Sequence, residues 1–246
     1  MDGLIIEEAA NLNNQAVFAL ENGALPSACR AFKLALQRVR KDIGNAQQDE
    51  SELVIPKMNV DTPSRGFKQI LPKRLAVQGL SHCCEVPDDD PTSSTLSFKN
   101  SRGIHKEPIP IFDIPTSNIT SEDYSRLCVT IIFNFAMANH LIAFENKTFP
   151  DEAHLQKAAR LYELIYRIRY EGNLDFVALI SLATLHNLAH IHYCLENKAL
   201  AEQCCERLLG CVVYLAERHG RWEYFAKFFG SIRQFILMDP STATAA

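Results

Sequence analysis

The residues best equipped for chemistry in this chain are histidines and cysteines. His186 and His190 stand four apart, so on a helix they share one face, as zinc-binding histidine pairs do, and His192 follows two positions on. A zinc-protease helix carries its general-base Glu directly after the first histidine. Here that position is Asn187, and no third ligand is evident. His82-Cys83-Cys84 and Cys204-Cys205 place two thiols side by side. Neighbours on a helix point about 100° apart and do not readily share one ion. Neither pair forms the Cys-x-x-Cys spacing of a redox or zinc motif. The sequence contains no Gly-rich phosphate loop, nucleophile elbow or spaced carboxylate pair. These residues therefore predict a non-catalytic protein with no cofactor and no metal. The alternative is a metal- or thiol-dependent enzyme built on His186, His190 and a cysteine.

The elements that position these residues are delimited by proline. Eight of the eleven prolines (Pro56, Pro63, Pro72, Pro87, Pro91, Pro108, Pro110 and Pro115) lie between residues 42 and 120. A helix cannot run through so many missing N–H donors. The expected organisation is a first helical hairpin over 1–41, a largely irregular Pro-rich insert over 42–120, two hairpins and a C-terminal capping helix over 121–238, and a flexible tail over 239–246.

In the first hairpin, Ile5, Ala9, Leu12, Ala16 and Leu20 repeat with the helical period, and Gly23 suits the left-handed position after a helix. A second helix starts near Pro26-Ser27 and ends in the basic run Arg38-Val39-Arg40-Lys41. Ser121-Glu122-Asp123 signals a helix start. Helices are expected over 121–144, 152–170, 175–195 and 198–218, with a final aromatic helix over 222–237. Five cysteines (Cys29, Cys128, Cys194, Cys205 and Cys211) fall in apolar-periodic stretches, where Cys acts as a small buried hydrophobe.

Three of these helices share a triplet, Asn-x-Ala: Asn14 with Ala16, Asn134 with Ala136, and Asn187 with Ala189. Twelve residues after the first and third triplet alanines come Ala28 and Ala201, each followed four residues later by Phe32 or Cys205. Ala158 and Tyr162 repeat that second element in the middle pair, after a longer loop. This pattern resembles the tetratricopeptide repeat, in which small residues let paired helices approach and an aromatic fills the space between hairpins. The departures are Leu12, Ile132 and Leu185 where the family carries an aromatic, and the lack of its closing proline. The resemblance implies an all-α fold of antiparallel hairpins stacked as a short solenoid, interrupted by the Pro-rich insert. The first hairpin would dock on the second despite the insert, because a lone hairpin cannot bury its apolar face.

The resemblance also implies a concave groove lined by the first helix of each pair. Its residues here would be Asn13, Val17 and Leu20, then Phe133, Met137 and His140, then His186, His190 and Tyr193. Segments 4–20, 127–144 and 173–195 contain no Lys or Arg, so the groove would not clamp a carboxylate. The expected partner is an unidentified protein or peptide, bound through a mostly apolar surface, and self-association is compatible with that role. Within the insert, residues 104–115 alternate in a way that would suit an extended strip with one apolar face. The composition of the insert favours a solvated linker; the alternative is that Ile109, Ile111, Phe112 and Ile114 lie along the helices or fill the groove.

A net charge of −4 gives no footprint for nucleic acid. A second alternative is RNA binding by the basic second helices, through Arg30, Lys33, Arg38, Arg40, Arg160, Arg167 and Arg169. The N-terminus lacks the basic start of a secretory signal, and no apolar run approaches the roughly 20 residues of a membrane span. The expectation is a soluble intracellular protein, cytoplasmic or nuclear, with reduced thiols and no membrane partner.

Overall fold

The computed structural model describes residues 3–46, 104–112, 120–145, 149–167 and 174–219. Among the described residues it contains six helices and no strand: α1 Gly3–Glu21, α2 Leu25–Ala46, α3 Ser121–Ile142, α4 Glu152–Arg167, α5 Leu174–Cys194 and α6 Lys198–His219. They pack as successive pairs, α1 on α2, α3 on α4 and α5 on α6. The pairs are joined by contacts of α2 with α3 and of α4 with α5. The expected helix over 222–237 and the tail lie outside the described residues, as do Cys83, Cys84, Ile114 and Arg169.

Local chemistry sets the boundaries. The α1–α2 turn places Gly23 at φ 73°. Its N–H donates to the Leu20 carbonyl (3.0 Å), and Ala24 N–H donates to Ala19 (2.8 Å), the two bonds of a Schellman cap. The α5–α6 turn uses the same two bonds, Glu196 N–H to Tyr193 (3.1 Å) and Asn197 N–H to His192 (2.8 Å). There the left-handed residue is Glu196, at φ 60°. Helix α3 starts at Ser121 as expected, with its N-cap one residue before it. Thr120 is the N-cap, its Oγ1 accepting from Asp123 N–H at 3.1 Å while Asp123 Oδ2 accepts from Thr120 N–H at 3.1 Å. The Thr120 hydroxyl also donates to Asp123 Oδ2 at 2.7 Å, and this bond, with that from the Thr120 N–H, holds the Asp123 carboxyl below its ordinary pKa. Asp151 caps α4 by accepting from Ala153 N–H at 3.0 Å. Helix α2 continues to Ala46, beyond the basic run at which it was expected to stop.

Close helix packing follows from small residues. Ala16, Ala28, Ala136, Ala158 and Ala189 are fully buried, and Ala201 and Cys205 nearly so. Phe32 and Tyr162 fill the larger spaces and are also without exposed surface. The main core spans α1 to α5, and a smaller one, with Leu182, Leu185, Leu208 and Val212, joins α5 to α6. The first hairpin does dock on the second: the Tyr124 hydroxyl on α3 donates to the Val39 carbonyl on α2 at 3.0 Å. Helix α3 is the centre, with every residue from Val129 to His140 buried. It is long and apolar enough by composition to cross a membrane, but 72% of its most apolar window is buried inside the protein. Its composition is that of a core helix.

Candidate functional site: an asparagine-lined groove

The three triplet asparagines converge on one feature, the extended segment 104–112. On α1, Asn14 Oδ1 accepts from Ile111 N–H at 2.8 Å and Asn14 Nδ2 donates to the Ile111 carbonyl at 2.7 Å. On α3, Asn134 Oδ1 accepts from Ile109 N–H at 2.9 Å and its Nδ2 donates to the Ile109 carbonyl at 2.7 Å. On α5, Asn187 Oδ1 accepts from His105 N–H at 2.8 Å and its Nδ2 reaches the His105 carbonyl at 3.3 Å. Each primary amide thus satisfies both backbone groups of one residue, as a neighbouring strand would. The segment runs from α5 to α1, opposite to the order of the helices in the chain.

The amides are held from behind. Asn13, fully buried, accepts at Oδ1 from Asn134 Nδ2 (3.0 Å) and donates through Nδ2 to the Ile109 carbonyl (3.3 Å) and to Asn14 Oδ1 (3.3 Å). Asn187 Nδ2 also donates to the Tyr162 hydroxyl at 2.8 Å. Burial pushes the Tyr162 pKa far upward, so the hydroxyl stays protonated. Asparagines inside helices are ordinarily unfavourable because their side chains compete for backbone. Here the backbone they bind belongs to another segment.

Side chains of the segment alternate in and out from Ile109 to Phe112. Ile104 is buried, Ile109 and Ile111 pack against the main core, and Lys106, Pro110 and Phe112 face outward. The His105 ring lies 6.4 Å from that of Phe133, which in turn sits 5.9 Å from Tyr162.

The groove residues expected from sequence therefore divide. Phe133 lies beneath the segment, whereas Met137, His140 and His190 are fully buried, and His186 is nearly so. Asn13, Val17 and Leu20 are buried, and Tyr193 is partly exposed. His140 Nε2 and His190 Nδ1 are 2.9 Å apart, one ring donating and the other accepting. Cys194 Sγ stands 3.9 Å from His190 Nε2. Burial, reinforced by His190, His186 and Lys106, holds His140 well below the usual histidine range, so it is neutral. His190 of the proposed zinc pair is thus engaged with His140. Among the described residues, no group of three His, Cys, Asp or Glu is placed to hold a metal ion.

Five of the described thiols are not primed as nucleophiles. Burial raises Cys29 and Cys204 to about 11 and Cys128 and Cys205 to about 12, and it also raises Cys211. Of the basic residues, Arg30, Lys33, Arg38, Arg40 and Arg160 are exposed, and Arg38 pairs with Glu8 at 3.6 Å across the first hairpin.

The sequence marked the triplet asparagines as repeat-packing residues, and their contacts with segment 104–112 were missed. The signal was present: an amide side chain at the same place in three helices, and one alternating apolar segment elsewhere. No family model, curated protein or solved structure matches the chain.

Proposed function

We propose that the protein is a non-catalytic interaction module that binds an extended peptide segment along α1, α3 and α5. The observation that carries this reading is the set of three amide-to-backbone pairs at Asn14, Asn134 and Asn187. A row of side chains that hydrogen-bonds main chain at both N–H and C=O recognises extended conformation, and the pockets beneath it select alternate side chains. The repeated placement of these asparagines favours a tetratricopeptide-like stack, in which the first helix of each pair faces one groove. The groove helices contribute no Lys or Arg over 4–20, 127–144 and 174–195, which favours a ligand anchored by aliphatic side chains over one held by a terminal carboxylate.

Selection of linear peptides from a random display library against the purified protein tests this. The selected peptides are expected to share aliphatic residues at alternate positions and to lose binding to the Asn134→Ala variant. Peptides that bind that variant as well as the parent would place the interaction elsewhere and remove the groove reading. His190 is a poor choice for such a test, because it is fully buried against His140 and a charge there would unfold the site.

A further inference from the structure

The groove is occupied by the chain's own segment. Its inner residues, Ile104, Ile109 and Ile111, sit on the core, and its outer ones, Lys106, Pro110 and Phe112, are exposed, Phe112 at 72%. The two ends are tethered differently. Only eight residues separate Phe112 from Ser121, the first residue of α3, whereas 57 separate Ala46, the last of α2, from Ile104. The segment is held mainly through main-chain atoms, by helices whose own backbone bonds are complete without it, and this is how a separate peptide would be held.

We propose that residues 104–112 are a displaceable internal occupant. They hold the place of an extended segment of a partner protein with aliphatic residues in the relative positions of Ile104, Ile109 and Ile111. The inference rests on the groove-binding function above and adds its ligand pattern and its regulation. The short connection to α3 keeps the internal segment at an effective concentration on the order of mM. A partner therefore binds with an affinity reduced by the fraction of time the groove is free. Any event that holds the internal segment away raises the apparent affinity without altering a groove residue. Outward positions of the partner segment corresponding to Pro110 and Phe112 are unrestricted in side chain. Positions opposite Asn134 and Asn14 exclude proline, because Ile109 and Ile111 use their N–H groups there.

The test uses a fluorescent peptide copying residues 103–113, the full-length protein, and the full-length double variant Ile109→Pro/Ile111→Pro, whose own segment has lost both N–H donors. The double variant is expected to bind the peptide at least tenfold more tightly than the parent, and the further change Asn134→Ala is expected to abolish that binding. A peptide carrying the same two prolines is expected not to bind. Equal affinity of parent and double variant would overturn displacement while leaving the groove function standing. No binding to a folded double variant, up to about 1 mM peptide, would overturn both. A parent that is dimeric while the double variant is monomeric would give the groove to a second copy, and would also overturn the proposal.

Should the double variant fail to fold, amide exchange in the unmodified protein decides. The His105, Ile109 and Ile111 amides are expected to exchange at least tenfold faster than the buried amides of α3. Equal rates would mean that the segment leaves only when the whole protein unfolds, and the proposal would fall.

Discussion

Replacing Asn134 with Ala isolates the central amide of the groove. Asn134 has no exposed surface and makes three hydrogen bonds, two to Ile109 and one to Asn13. Truncation leaves the Ile109 N–H and Asn13 Oδ1 without these partners, while the Ile109 carbonyl keeps Asn13 Nδ2 at 3.3 Å. Each buried group left unsatisfied costs about 1–3 kcal/mol, so the expected loss for the two is about 2–6 kcal/mol, out of a total stability of about 5–15 kcal/mol. Asn139, in the same helix and also buried, provides the control. Its Nδ2 donates at 2.7 Å to the Phe135 carbonyl of its own helix. Its removal strands no group of segment 104–112, and Asn139→Ala is expected to cost about 1 kcal/mol. Urea unfolding followed by far-UV circular dichroism gives both values, and amide exchange at Ile109 reads the segment directly. If Asn134→Ala cost no more than Asn139→Ala, or left Ile109 exchange unchanged, the amide pairs would not be holding the segment.

Four further outcomes are expected. Tyr162→Phe removes the hydroxyl that accepts from Asn187 at 2.8 Å; it should cost about 1 kcal/mol and speed exchange at His105 more than at Ile111. Glu196→Gly relieves a left-handed backbone (φ 60°) and should stabilise the protein by about 1 kcal/mol in the same urea titration. His140 is depressed in the folded state, so the unfolded chain takes up its proton first. Stability should be full above about pH 6.5 and fall as the pH drops below it, and His140→Phe should flatten that slope in melting curves. The buried thiols should react slowly with a disulfide reagent near neutral pH and together on unfolding, since burial raises Cys29, Cys128, Cys204 and Cys205 to between about 11 and about 12.

Much of the helical framework was legible because it is locally encoded. Gly23 marked the first turn, and the periodicity of Ile5, Ala9, Leu12 and Ala16 marked α1, which ends within one residue of expectation. The burial of Ala28 with Phe32 and of Ala158 with Tyr162 follows from their spacing. The composition around Ile109 and Ile111 favours a solvated linker; residues 104–112 instead form the extended strip that the alternative reading described, though Phe112 faces outward rather than lying on the helices. Its attachment was harder to read. An asparagine within an apolar helix announces a polar contact without naming the partner. Main-chain groups, present at every residue, leave no mark in the sequence that binds them. The histidines misled for a related reason. Four-residue spacing puts His186 and His190 on one face of α5, but the ring that meets His190 is His140 on α3, fifty residues away. The left-handed turn at Glu196 had no glycine to announce it, and only the short Glu196-Asn197 break between periodic stretches pointed there.

The course of segment 104–112 also bears on how the chain folds. Each helix pair closes through contacts between near neighbours in sequence, but the amide pairs join residues 97, 25 and 82 positions apart. Contacts between residues so distant in sequence form slowly compared with helices and hairpins. On the ribosome the segment emerges before α3 and α5, so two of its three attachment points do not yet exist when it is made. Its docking is therefore the closing event of assembly, laid across helix pairs that already share a core.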